Sequence, residues 1–316
     1  MHRPEKQAES MTGLSSTDAE EDLRRRFDDE AIGQLTEEFL EVGTPYNLRE
    51  LAGDRQFVVA YIDADGRYSD IPRSAEATVF SETFDQTLEE VVEDYGKYDP
   101  TSVFATVIDI STPLPKVAGV LRITEYSEVF GFKDVNDLLV DDPDNPWIDE
   151  IKDNYFEDGE DYDVSEAWKR LGKKACGEEL VLAESLDIAS HASAKEYRGV
   201  RGDLNGVSML FYHACLRYAL AKDKKNLFAI FDIPPLENLQ QFGKPFDVYY
   251  GLKKHKYGGP FDALPAFCVL KNGMQRIRDN NELVGKVFID GVGLDQNGLL
   301  PNEYLPKIYS DQAVNL

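Results

Sequence analysis

Two carboxylates stand out because their neighbours are apolar. Glu184 follows Glu179-Leu-Val-Leu-Ala, and Asp232 closes the run Asn226-Leu-Phe-Ala-Ile-Phe. A carboxylate held among apolar side chains binds its proton more tightly than one in water, which is the property a general base needs near neutral pH. Either has the chemistry to take a proton from an attacking nucleophile. Each also has an ordinary structural use: Glu184 as a strand-end group reaching solvent or pairing with an arginine, Asp232 as a cap for Leu236 to Phe242. Between them lies a loop, His191 to Gly206, carrying Arg198-Gly-Val-Arg-Gly-Asp203 and Asn205-Gly206, residues that permit tight turning and unusual backbone angles. His191 could shuttle protons or stand as a solvated loop histidine. Cys176 and Cys215 lack the His/Asp setting of a covalent nucleophile.

These residues need elements to hold them. Glu179 to Ser190 reads as a strand with Leu180, Leu182, Leu186 and Ile188 on one side and Glu184 interrupting it. A helix is expected from near Val207. There Val207, Leu210, Phe211, Ala214, Cys215, Tyr218 and Ala221 recur at helical spacing, and a second apolar stripe predicts burial on most sides. Asn226 to Ile233 reads as a strand covered on both faces, stopped by Pro234-Pro235, and Leu236 to Phe242 as a short helix closed by Gly243. A strand, a glycine-bearing loop and a buried helix in that order leave unpaired N–H groups at the helix N-terminus, where the macrodipole also favours an anion, with phosphate the natural candidate.

The stretch from Glu179 to Gly243 resembles the GNAT superfamily of acyl-CoA-dependent N-acyltransferases. In that family an Arg/Gln-x-x-Gly-x-Gly/Ala loop holds the CoA pyrophosphate, and Arg198-Gly-Val-Arg-Gly-Asp-Leu-Asn-Gly206 is a loose version with altered spacing. The resemblance implies an α/β (α+β) fold with a mixed, mostly antiparallel central sheet flanked by helices. It implies acyl-CoA or acetyl-CoA as co-substrate without a metal, and Arg198, Gly199, Arg201, Gly202, Gly206 and Ser208 as the residues that bind it. It also implies direct transfer to a small-molecule amine, with acyl-carrier protein as a possible alternative donor.

Phe104 to Ile110 and Lys116 to Ile123 read as an antiparallel pair. Together with Phe80, Tyr98-Asp99, Gly119, Arg122 and Ser185 they are similar to the autoinducer (acyl-homoserine lactone) synthase branch, whose members transfer fatty acyl groups. That branch expects Glu and Arg where Ala183 and Leu186 stand. A medium or long acyl chain would need an apolar tunnel, for which Phe104, Val107, Val120, Leu182, Phe228 and Ile230 are the expected lining. Many GNAT enzymes protonate the departing thiolate with a tyrosine on the helix after the fifth strand. Leu236 to Gly243 has none, which leaves Tyr249, Tyr250, water or no enzyme group, and keeps open a GNAT-like binding or sensory module without catalysis.

Composition bounds the rest. With 316 residues, 42% of them apolar, the chain can fill a substantial core, and a formal charge of −25 argues against nucleic acid as a partner. Three widely spaced cysteines support neither a disulfide framework nor a zinc site, and no run approaches membrane-spanning length, so a cytoplasmic setting is expected. Residues 1–30 are expected to be a mobile charged tail, and 31–316 a single domain with an acidic surface insertion near 141–163 and a C-terminal extension. Within it, Gln56 to Ile62, Asp65-Gly66 and Arg67 to Ile71 read as a hairpin, and Thr83 to Tyr95 as a helix.

Overall fold

The computed structural model describes residues 27–84, 86–177, 179–198 and 206–294. Its centre is an eight-stranded sheet, with strands β1 (Phe57–Asp63), β2 (Ser102–Asp109), β3 (Lys116–Glu125), β4 (Ser185–Ser193), β5 (Asn226–Asp232), β6 (Asp247–Val248), β7 (His255–Lys256) and β8 (Asp262–Val269). The order is β1-β2-β3-β4-β5-β8-β6, with β7 pairing β8. Every pairing is antiparallel except β4 with β5. This is the mixed, mostly antiparallel sheet flanked by helices that the sequence predicts. The exception has a cause: two parallel neighbours need a crossover, and the helix between β4 and β5 provides it.

The helices of the described residues are α1 (Asp29–Val42), α2 (Leu48–Ala52), α3 (Asp70–Phe84), α4 (Leu88–Tyr95), α5 (Lys133–Leu139), α6 (Ile148–Tyr155), α7 (Val164–Cys176), α8 (Val207–Ala221), α9 (Ile233–Gln240), α10 (Leu270–Asn280) and α11 (Glu282–Val284). Alternation along β5 divides them between the two faces. Leu227, Ala229 and Phe231 join one buried cluster with α8, α9 and α10, while Phe228 joins another with α5, α6 and α7. Helix α8 is buried on most sides, as its two apolar stripes require. It comes close to β3 at Gly119, where a Cβ would stand 3.0 Å from Val207 Cγ1 and 3.1 Å from the Ala192 carbonyl oxygen.

Four expectations are corrected. The strand expected from Glu179 begins only at Ser185, because the preceding backbone is engaged elsewhere: Leu180 O accepts from Trp168 Nε1 at 2.9 Å, and Val181 O accepts from Glu184 N at 3.0 Å and Ser185 Oγ at 2.8 Å. The resulting single turn, Leu182–Glu184, carries Glu184 outside the strand. The expected hairpin is instead β1 followed by α3. Pro72 sits in the first turn of that helix, where its missing N–H costs nothing, and Ile71, Ala75 and Val79 supply an apolar face at helical spacing. The helix expected over Thr83 to Tyr95 is divided, because Thr87 caps α4 in a reciprocal box with Glu90. Finally, the acidic segment is no mere surface excursion: Trp147, Ile151 and Tyr155 are buried against α7 and the sheet.

Candidate active site

Strands β4 and β5 pair over three positions, Ser185 with Asn226, Leu186 with Leu227 and Asp187 with Phe228. Beyond them the strands separate. Parting strands strand their facing N–H and C=O groups, and buried backbone groups must find partners. Side chains from α4 and α5 supply two. Ile230 N donates to Asp134 Oδ2 at 2.8 Å, and Ala189 O accepts from the Tyr95 hydroxyl at 3.1 Å.

The gap opens into a cleft of about 270 Å³, walled by residues 188–191 of β4, by Ile230, Phe231 and Asp232 of β5, and by Phe80, Phe84, Asp94, Tyr95, Lys133, Asp134, Asp137 and Tyr257. On the opposite face, under α8 and α10, is an apolar cavity of about 40 Å³. Ile188 and Phe231 line both, so the two spaces are separated by side chains of the two parting strands.

The cleft is acidic and aromatic. The Lys133 ammonium bonds Asp137 at 2.6 Å and the Tyr257 hydroxyl at 3.1 Å, and lies 5.0 Å from the Tyr95 ring centroid. Burial drives Asp187 well above the ordinary carboxylate range, with the charge of Asp134 adding to the rise, and burial drives Asp134 up to about 7; Asp134 N donates to Asp187 Oδ2 at 3.1 Å. Asp232 occupies the cap position of α9 but makes no capping bond. Burial pushes it up to about 6 against the pull of Lys256.

Behind the β4 wall, Arg122 is buried with a bidentate bond to Glu76 (3.1 and 2.8 Å) and a bond to Asp99 Oδ1 at 2.8 Å, its guanidinium 4.4 Å from the Phe104 ring centroid. Arg73 closes the network onto Asp99, and Ser190 Oγ donates to Glu76. Two cations and two anions thus balance out of water beside the cleft.

Of the residues singled out in the sequence, Asp232 and His191 line the cleft and Glu184 does not. Glu184 is bound to Lys225 at 2.7 Å, at the end of the sheet where β4 and β5 are still paired. Arg198 Nε donates to Ser193 O at 2.9 Å; Gly206 is the residue before α8, and Ser208 lies in its first turn. Gly199, Arg201 and Gly202 lie outside the described residues. Tyr249 is buried among Phe228 and Phe267 and Tyr250 is exposed, so neither hydroxyl is on the cleft wall. Among the expected tunnel residues only Ile230 lines the cleft, because the helices cover the other side chains. Glu76, Asp134 and Asp187 went unremarked in the sequence. The one local signal for Asp134 is a Lys-Asp pair opening a short helix. Among the described residues no cluster of His, Cys, Asp and Glu is arranged to hold a metal.

No family model and no curated protein matches the sequence. Among solved structures the chain is similar to FeeM, an N-acyl amino acid synthase from uncultured soil microbes, at 13% identity and a TM-score of 0.43 over 71% of this chain and 95% of that one. It is also similar to BjaI, a CoA-dependent acyl-homoserine lactone synthase, at 12% and 0.42 over 71% and 89%. A third similarity is to mutant forms of the spermidine/spermine N-acetyltransferase SpeG from Vibrio cholerae, at 10% and 0.37 over 70% and 98%. By name, two are synthases of acylated products and the third is an N-acetyltransferase.

Proposed function

We propose that the protein transfers an acyl group from a CoA-type thioester to an amine, the donor lying along the parted strands and the acceptor entering through the polar cleft. The observation that carries this is the three-pair contact of β4 and β5 followed by separation. An extended, amide-bearing chain lies along a strand edge by main-chain hydrogen bonds, here at positions other than Ala189 O and Ile230 N, and the pantetheine arm of CoA is such a chain. Gly206 precedes the 15-residue helix α8 without a side-chain cap, and a helix N-terminus favours an anion such as phosphate. Arg198, Gly199, Arg201, Gly202, Gly206 and Ser208 remain the proposed phosphate-binding set.

The acceptor side fits a protonated amine: carboxylates at Asp94 and Asp232 stand among the rings of Phe80, Tyr95 and Tyr257. Asp232 takes its proton, a role that suits a carboxyl titrating at about 6. The acyl group turns past Ile188 and Phe231 toward the apolar cavity. At about 40 Å³ that cavity is far smaller than the ~150 Å³ needed for a benzene, which favours acetyl or another short acyl group over the medium or long chain of the autoinducer branch. The three cysteines, all free, suit the reducing cytoplasm.

The test is to mix the protein with acetyl-CoA or octanoyl-CoA and a panel of amines, following thiol release and amide mass. Amine-dependent release, faster with acetyl-CoA, is the expected result. The missing tyrosine on α9 favours a second reading, a binding module; CoA affinity without any amide across the panel would establish it over the enzyme.

A further inference from the structure

Charge is unevenly shared around the cleft. Four carboxyl groups line it, Asp94, Asp134, Asp137 and Asp232, against a single cation, Lys133, among the described lining residues. That cation is already engaged: its ammonium pairs with Asp137 at 2.6 Å and the Tyr257 hydroxyl at 3.1 Å, and lies 5.0 and 5.6 Å from the ring centroids of Tyr95 and Tyr257. Burial and the nearby charge of Arg198 push His191 down to about 4, so the imidazole on the wall adds no positive charge at working pH. Asp94 on α4 and Asp232 on β5 stand in separate surroundings. Burial raises the Asp94 carboxyl above its ordinary range, and Asp137, Glu93 and Glu90 add to the rise against the pull of Lys133. Asp232 feels Lys256, but that lysine bonds Asp262 and Pro260 O. Beside them, the Phe80 ring lies 5.1 Å from Phe84 and 6.2 Å from Tyr95, centroid to centroid, and all three line the cleft.

Resting on the acyltransfer reading, we propose that the acceptor is a diamine without a carboxylate, and that Asp94 selects it by binding the ammonium that does not react. An acceptor with one amine answers one carboxylate. Asp232 takes the proton of the attacking end, and Asp94 is then left crowded by Asp137, Glu93 and Glu90. A second ammonium relieves that crowding, and because it never gives up its proton it holds the chain in place before and after transfer. The methylenes between the two nitrogens have the rings of Phe80, Phe84 and Tyr95 to lie against, surfaces that suit both an apolar chain and a cation. An amino acid fits badly: its carboxylate would meet like charges on the wall and a lysine already bound to Asp137, and like charges brought together oppose binding.

The test offers acetyl-CoA with acceptors of matched length, pentylamine, diaminopentane and aminohexanoate, and reads amide formation by mass spectrometry. For the unsubstituted protein, kcat/KM with the diamine should exceed that with pentylamine roughly tenfold, more than its two reactive ends explain, and aminohexanoate should fall below both. Added salt should erode the preference, because charges near the cleft mouth are screened. Asp94→Asn should cancel most of the diamine advantage, through KM rather than kcat. Asp94→Lys should reverse the order and put aminohexanoate ahead of the diamine, an outcome that damage to the fold would not produce. A diamine advantage no larger than two reactive ends supply, or one that Asp94→Asn leaves intact, would overturn the assignment while leaving acyltransfer in place. Calorimetry with diaminopentane separates the two readings. Binding that Asp94→Asn abolishes, with no amide from any acceptor, would retain Asp94 as the diamine site and remove the transfer; neither binding nor amide would overturn both.

Discussion

Asp232 and Glu184 are the same kind of group in different surroundings. Glu184 is partnered by Lys225 at the paired end of the sheet, whereas Asp232 stands on the wall of the cleft with no capping duty. Asp232→Asn is therefore expected to lower amide formation roughly 100-fold or more with acyl-CoA affinity retained, and Glu184→Gln to leave the rate close to that of the unsubstituted protein. The pH dependence follows from Asp232: only its ionised form accepts a proton, so the rate should fall as pH drops through about 6, a limb that Asp232→Asn removes. Arg122 acts on stability. Arg122→Met removes the cation paired with the buried Glu76 and leaves Asp99 with Arg73, and should cost about 3–5 kcal/mol in urea unfolding.

At the scale of elements, α4 and α5 hold the cleft open by taking over hydrogen bonds that β4 and β5 no longer exchange. Asp134→Ala removes the acceptor for Ile230 N and is expected to cost about 1–3 kcal/mol, the penalty of an unsatisfied buried donor. Helix α4 depends on its cap, where Thr87 Oγ1 accepts from Glu90 N at 3.2 Å and Glu90 Oε2 accepts from Thr87 N at 2.8 Å. Thr87→Ala should lower stability by about 1 kcal/mol and fray the turn that precedes Asp94 and Tyr95, seen as faster amide exchange in α4. The contact of α8 with β3 depends on the bare backbone of Gly119. A valine there would have to displace the helix whose start is the proposed phosphate site.

For the molecule as a whole, acid residues dominate, 59 Asp and Glu against 34 Lys and Arg. Two of them, Asp134 and Asp187, are buried together with raised proton affinity, beside Lys133, Asp137 and Tyr257. A carboxyl whose folded pKa lies above its unfolded value binds more protons in the folded state. Its contribution to stability is full below the ordinary carboxylate range and is lost as pH rises through the folded value, about 7 for Asp134. The urea midpoint should therefore decline between about pH 4 and pH 8. Asp134→Asn, unable to bind that proton, should show a shallower decline. Parallel curves for the two proteins would show that the pair is not the source.

The local pattern of side chains determined much of the framework. Runs of apolar residues marked β2, β3 and β5, and two apolar stripes marked α8, because burial repeats with the period of each element. The acyltransferase resemblance was legible in that order of elements, and Asp232 in its apolar run. Periodicity does not say which element faces which. Arg122 meets Glu76 46 positions away, Asp134 meets Asp187 across 53, and Tyr212 meets His191 across 21. Those partnerships depend on how helices seat on the two faces of the sheet. The parting of β4 and β5, which makes the cleft, is a relation between strands separated by a whole helix. It put Asp232 on the cleft wall and left Glu184 at the closed end, a distinction that only the packing of distant segments could make.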